Sequence, residues 1–300
     1  MFKKVLKWIG ITVLSALILL TFAYGLISWS VNNRINSRYS FKKNVAMLPD
    51  SADSSVLLRG KRLLAIKGCN ECHGAHLDGQ LIIDDKMVAI LPASNLTRGK
   101  GGLPADFSDQ DWMMALQHGV SKEGQPLWLM PSQESALMTE KDLRAIIAYC
   151  KTISPVDHIL PEKQIGPMGK VLTFFDKLDL LSVEKIDHQA AAVKEVSEDK
   201  ESIALGKYLS VSCTGCHRQD FRGGDPVAPG FPEVPDISPS GDPGKWTQQQ
   251  FFTALRSGKK PSGKQMDSRY MPWKMTAQYT DRELASLYLY LHSIKNADRP

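Results

Sequence analysis

The sequence predicts an all-α chain in which an apolar N-terminal helix precedes two copies of one helical domain. Three observations predict it. The pentapeptide Cys-x-x-Cys-His occurs twice, at Cys69-Asn-Glu-Cys72-His73 and at Cys213-Thr-Gly-Cys216-His217. The surroundings of the two copies repeat as well, a self-similarity that outranks any local reading of the fold. Apolar residues recur at helical intervals, and no strand-rich alternation stands out.

The elements follow in order. After Lys3, Lys4 and Lys7, residues 8–29 carry no charge. As a helix they reach ~33 Å, enough for a bilayer's hydrocarbon core. Trp8 and Trp29 stand where interfacial aromatics belong, and the three lysines place the N-terminus in the cytoplasm. A cleaved signal peptide, with Thr21-Phe22-Ala23 as cleavage site, is the competing reading. Signal cores run ~7–15 residues, so an uncleaved anchor over 1–33 is favoured, with a linker over 34–54. Arg34, Arg38, Lys42 and Lys43 lie on the far side and soften the charge asymmetry.

In the first repeat, Leu57, Leu58, Leu63, Leu64 and Ile66 form an apolar helical face that runs into Cys69. Ile203, Leu205, Tyr208 and Leu209 do the same ahead of Cys213. Both helices contain Gly-Lys, at Gly60-Lys61 and Gly206-Lys207. Mid-helix glycine costs about 1 kcal/mol relative to alanine, so a close packing contact is expected at each. Ser108 and Thr247 are candidate N-caps for the next helix of each repeat. Thr139-Glu-Lys-Asp142 and Thr280-Asp-Arg-Glu283 read as capping signatures for the last helix. From Met130-Pro131 and Met271-Pro272 onward the register is unbroken: Thr139 falls on Thr280, Leu143 on Leu284, Tyr149 on Tyr290 and Ile153 on Ile294. Residues 154–200 do not repeat. Pro155, Pro161 and Pro167 suggest an extended strap. The apolar run Val171-Leu-Thr-Phe-Phe175 with Leu178, Leu180 and Leu181 is expected to pack between the two domains, with contact to a membrane or partner as the alternative. Glu195 to Glu201 reads as a solvated boundary. Three hundred residues suit two domains of this size.

Cys-x-x-Cys-His is the attachment signal for c-type haem. Two thiols one turn apart add to the two vinyl groups of one porphyrin, and the following histidine lies under the iron. Two motifs therefore imply two covalently bound haem c groups, tethered by Cys69, Cys72, Cys213 and Cys216, with His73 and His217 as proximal ligands. Of the five cysteines only Cys150 is left over, and it reads as a small buried hydrophobe. Among eleven methionines, Met130 and Met271 alone align between the repeats and precede proline, so they are the expected distal ligands. Met275 is the rival to Met271. A thioether ligand raises the haem potential and closes the iron, which suits electron transfer. His76, His118, His158, His188 and His292 are read as non-ligands.

These motifs, with Asn95-Leu96-Thr97 answering Asp236-Ile237-Ser238, resemble the tandem cytochrome c family over residues 55 to 297. The chain is similar to the cytochrome subunits of membrane alcohol and aldehyde dehydrogenase complexes. The resemblance implies cytochrome c domains over 55–153 and 201–297, joined by the 154–200 linker. It also implies that the first and last helices of each domain cross at the Gly60 and Gly206 positions, against Tyr149 and Tyr290. Loops of the Asn-Leu-Thr kind would lie over the haem edge and propionates, where Asp236 must be hydrogen-bonded or turned away.

The formal charge is +5. Lys259, Lys260, Lys264, Arg269 and Lys274 crowd the Met271 loop, where they would attract an acidic redox partner. No nucleic-acid module accompanies them. The expected protein is not an enzyme in itself. It is a single-pass protein of a bacterial inner membrane, with haem domains in the periplasm, relaying single electrons between a dehydrogenase or quinol-oxidising complex and a downstream acceptor. The alternative is a dihaem cytochrome c peroxidase-like enzyme, which needs one iron with an open site. A zinc-binding module comes a distant third.

Overall fold

The computed structural model describes residues 2–41, 53–227 and 230–295. Part of the expected 34–54 linker, including Lys42 and Lys43, and the last two residues of the expected 201–297 domain lie outside these. Helix α1 (Phe2–Ile35) is long and apolar enough to cross a membrane, and its apolar side chains are exposed along most of its length.

Each half is built on a crossed pair of helices. In the first, α2 (Ser54–Ile66) runs into the short helix α3 (Cys69–His73) and packs on α6 (Glu140–Lys151). In the second, α8 (Ile203–His217) carries its motif on its own last turn and packs on α11 (Asp281–Ser293). The expected glycine crossings are present. A Cβ on Gly60 would fall inside contact distance of the Ala145 carbonyl oxygen and 2.8 Å from the Tyr149 Cβ. A Cβ on Gly206 would collide with the Ser286 carbonyl and lie 2.7 Å from the Tyr290 Cβ. Only a missing side chain lets the two backbones approach so closely. Helices α4 (Asp109–His118) and α9 (Gln248–Ser257) complete the layers, capped by Ser108 and Thr247 in reciprocal capping boxes. Short helices α5 (Ser132–Ser135) and α10 (Trp273–Thr276) follow the two Met-Pro pairs.

Two features depart from the sequence reading. The chain is mostly helical rather than all-α. Strands β1 (Gln80–Asp85) and β2 (Ala89–Ala93) form an antiparallel hairpin, and β3 (Gln164–Ile165) adds to its edge. Its apolar run Leu81-Ile82-Ile83 is too short to separate strand from helix by period. The apolar run after Pro167 does not pack between the domains. Helix α7 (Pro167–Phe174) lies against α1, and Leu180, Leu181 and Val183 join Met114 and Val120 of the first half in a core that Ile35, Tyr39 and Phe41 flank. The strap before it wraps the first half: the Asn95 amide donates to the Val156 carbonyl (2.8 Å). The stretch at 195–201 is not merely solvated, because Glu198 takes Arg59 of α2 while its carbonyl accepts from Arg282 of α11 (2.8 Å).

The close crossing makes a prediction. Gly206→Ala forces the Cβ into the Ser286 carbonyl and is expected to cost about 2–3 kcal/mol. Lys207→Ala, one residue on and exposed, is expected to cost under about 0.5 kcal/mol. Denaturant midpoints of the two haem-loaded variants check this.

Candidate haem sites and the contact between them

The crossed helices decide where each motif points. In the first half, Gly68 adopts φ +70° and turns the chain from α2 into α3. Cys69, Cys72 and His73 then line one wall of a cavity of about 350 Å³, and Met130 lines it as well. Leu129, at φ +58°, donates its N–H to the Leu180 carbonyl (2.8 Å), and the Met130 carbonyl accepts from the Ser182 hydroxyl. The linker thus braces the loop that carries the sulfur, which the sequence reading missed.

Both motif histidines are held in one tautomer. His73 Nδ1 lies 2.8 Å from the Ser94 carbonyl and His217 Nδ1 lies 2.9 Å from the Pro235 carbonyl. A carbonyl oxygen only accepts, so Nδ1 carries the proton in each ring and Nε2 presents its lone pair. Burial lowers the pKa of both imidazoles, keeping them in the neutral form that binds metal.

The cavity fits a porphyrin with acidic side groups. Its lining is mainly apolar, and burial pushes the Cys69 thiol up to about 12. The indole N–H groups of Trp112 and Trp128, both in the lining, are buried without a partner. Lys163, also in the lining, stands 4.6 Å over the Trp128 ring. A stranded donor beside a lysine calls for an anion, and a haem propionate would supply one. A closed zinc centre does not fit: among the described residues no cluster of three or more His, Cys, Asp or Glu side chains converges.

The loops at Asn95 and Asp236 are equivalent turns. Asn95 Oδ1 accepts from the Thr97 N–H (2.9 Å), and Asp236 Oδ1 accepts from the Ser238 N–H (2.8 Å). The second Asp236 oxygen takes the Ser240 hydroxyl (3.0 Å), so its charge is locally satisfied. The Met275 sulfur packs on Gly68 of the other half, 2.9 Å from where a Cβ there would sit.

That contact belongs to an approximate two-fold relation between the halves. Glu134 occupies the position of Met275 in the repeat, and it closes on Gly215 inside the second motif just as Met275 closes on Gly68 beside the first. Lys67, two residues before Cys69, donates to the Ser212 hydroxyl next to Cys213 (3.1 Å). Arg62 of α2 forms a forked bond to Glu283, the cap acid of α11 (2.7 and 2.9 Å). Its counterpart Tyr208 of α8 donates to Asp142, the cap acid of α6 (2.5 Å), and accepts from the Thr139 N–H (3.2 Å). Glu283 still completes its own capping box, whereas Asp142 does not. The Tyr208 hydroxyl has replaced the Asp142 carboxylate at the Thr139 N–H, and Arg59 takes the other Asp142 oxygen (2.6 Å). Burial holds the Glu134 carboxyl up at about 7, against the pull of Lys67. One buried cluster contains side chains from both halves, Leu64 and Ile147 with Leu205 and Leu287. The segments leading into the two motifs therefore touch, side chain to side chain, beside a shared core.

Comparison with known proteins agrees with this geometry. Residues 203–295 match the Cytochrome c family. The match supports a cytochrome c domain over these residues, and such a domain implies covalently bound haem c. The chain is similar to the fructose dehydrogenase cytochrome subunit of Gluconobacter japonicus, 23% identical over 270 residues, which cover 82% of this chain and 54% of that one. It is also similar to the gluconate 2-dehydrogenase cytochrome c subunit of Pantoea cypripedii, 30% identical over 109 residues, covering 35% of this chain and 24% of that one. The chain thus spans about half the length of the first relative and about a quarter of the second.

Tyr208→Phe tests the interface. Removing the hydroxyl strips the Thr139 N–H and one Asp142 oxygen of their shared buried partner. Stability is expected to fall by about 1–2 kcal/mol, read from the unfolding midpoint of the haem-loaded protein. An unchanged midpoint would remove this bond from the account.

Proposed function

We propose that the protein is a membrane-anchored dihaem c-type cytochrome that relays single electrons from a dehydrogenase or quinol-oxidising complex to a downstream acceptor. The observation that carries this reading is the duplicated histidine geometry, Nδ1 tied to a carbonyl and Nε2 left free, directly after each Cys-x-x-Cys. Haem c bound at such a site supplies a one-electron iron couple. Cys69 and Cys72, and Cys213 and Cys216, tether the groups through thioethers. His73 and His217 would ligate the iron through Nε2, and Met130 and Met271 would supply the thioether ligands. The residues between the motifs set the separation: Lys67 with Ser212, Met275 on Gly68 and Glu134 on Gly215 keep the two attachment segments in contact. A short separation favours rapid exchange between the sites. Similarity to the fructose and gluconate dehydrogenase cytochrome subunits supports a dehydrogenase as the donor side.

Helix α1 serves as the anchor, with the haem domains in the periplasm. The peroxidase alternative requires one iron with a vacant position, and two repeated Met-Pro loops argue against that. For docking, Lys259, Lys260, Lys264 and Lys274 lie on and beside the turn near Met271, and among the described residues no ion pair engages them. Arg269 of the expected ring is instead paired to Asp267 (2.6 Å). This surface suits an acidic partner.

Two measurements test the reading. Met271→Ala is expected to lower the potential of that haem and leave it high-spin, while Met275→Ala keeps both haems low-spin. The opposite pattern in reduced and oxidised absorption spectra would move the ligand to Met275. Electron exchange with an acidic redox partner is expected to slow as salt rises from 0.05 to 0.5 M, because screening shortens to a few ångströms; rates indifferent to salt would discard the lysine surface.

A further inference from the structure

Helix α7 is inside out for a helix of a water-soluble domain. Its buried residues are Gly169 and Thr173, four apart on one face. Gly169 is pressed so tightly on the Val88 carbonyl that a Cβ would collide with it. The large apolar side chains point away: Met168 is 46% exposed, Phe174 39% and Phe175 60%. Met168, Leu172 and Phe175 fall at i, i+4 and i+7, a single stripe on a helix. The tip of the β1–β2 hairpin extends it, because Met87 is 56% exposed and its carbonyl accepts from the Met168 N–H (2.8 Å).

The position of α7 along α1 says what covers this stripe. Lys170 donates to the Ser28 hydroxyl (2.8 Å), and Arg34 reaches the Thr173 carbonyl (3.4 Å). Ser28 adjoins Trp29, the aromatic that closes the strongly apolar stretch of α1, and Arg34 is the first charged residue beyond it. From Ser28 to Arg34 an α-helix climbs ~9 Å. A bilayer's polar layer is about 5–8 Å deep on each side of its hydrocarbon core, so α7 sits at that depth. Apolar faces of interfacial helices enter the headgroup boundary by about 5–10 Å. Charge around the stripe is mixed: Lys86, Lys170 and Lys177 stand with Asp84, Asp85 and Asp176. The surface therefore offers apolar insertion rather than attraction to anionic lipid.

We propose that α7 and the β1–β2 tip form a second, peripheral contact with the bilayer, inserting Met87, Met168 and Phe175 beside the point where α1 leaves it. This rests on the reading of α1 as a membrane anchor. The contact fixes the tilt of the first haem domain on the membrane surface, with α1 and α7 as two points of attachment joined where Arg34 donates to the Thr173 carbonyl (3.4 Å).

The test uses the full-length haem-loaded protein in phosphatidylcholine nanodiscs, with a nitroxide attached at Phe175→Cys. Leu19→Cys within α1 and Ser262→Cys on the second half serve as references. Cys150 is 4% exposed and does not compete for the label, and an unchanged haem spectrum certifies each variant. Accessibility to oxygen, which partitions into lipid, is compared with accessibility to a water-soluble nickel chelate. The expected result is a several-fold preference for oxygen at 175, as at 19, and the reverse at 262. A label at 175 behaving like that at 262, while 19 remains in lipid, overturns the peripheral contact and leaves the anchor standing. A label at 175 shielded from both probes also overturns it, by showing a protein partner over the stripe. A label at 19 open to the nickel chelate removes the anchor, and this contact with it.

Discussion

Backbone meeting backbone at Gly60 and Gly206 is the constraint on which the rest of the architecture depends. With no side chain between them, α2 settles onto the Ala145 carbonyl and α8 onto that of Ser286. Each crossing sets the helix end that carries the Cys-x-x-Cys-His motif, an end that in the first half lines the cavity. It also leaves the N-terminal turn of α6 or α11 beside the other half, where Tyr208 and Arg62 reach the cap acids Asp142 and Glu283. One local contact, made twice, thus sets both candidate sites and the surface on which the halves meet.

The two halves use that surface unequally. Arg62 adds an ion pair to a capping box that stays closed. Tyr208 instead opens the box of α6 and inserts its hydroxyl between Thr139 and Asp142. Glu198 then ties the linker to both halves through Arg59 and Arg282. The first half also carries more than the second: the hairpin, the strap and α7 are all built on it. Leu180 and Ser182, just beyond α7, brace the Met130 loop from behind, and α7 packs on α1, so the half nearer α1 is the more heavily supported one.

Much of this was legible in the sequence, and the reasons differ by element. Duplication exposed the motif pair, the final helices and the glycine crossings, because a contact that tolerates no Cβ leaves the same gap at the same place in both copies. N-caps were legible because Ser108, Thr139, Thr247 and Thr280 act within three residues of themselves. The interface was not. Arg59, Arg62, Lys67 and Tyr208 lie on one helix face each, and nothing local separates a cation that spans two domains from one that faces water. The linker misled for a similar reason. An apolar run declares that it will be covered, and here the cover is α1, the first half and, by the inference above, lipid. The hairpin escaped because a three-residue apolar run has no period. Met275 could be set apart from Met271 by the missing counterpart in the other repeat, and its sulfur packs on Gly68.

The central claim is that both Cys-x-x-Cys-His segments, and not the second alone, carry covalent haem. Intact-mass analysis of protein from a host competent in cytochrome maturation, followed by mapping of haem-bearing peptides, addresses it most directly. Two haem adducts are expected, one on the peptide containing Cys69 and Cys72 and one on that containing Cys213 and Cys216. A single adduct confined to Cys213 and Cys216, or a bare polypeptide mass, would contradict it.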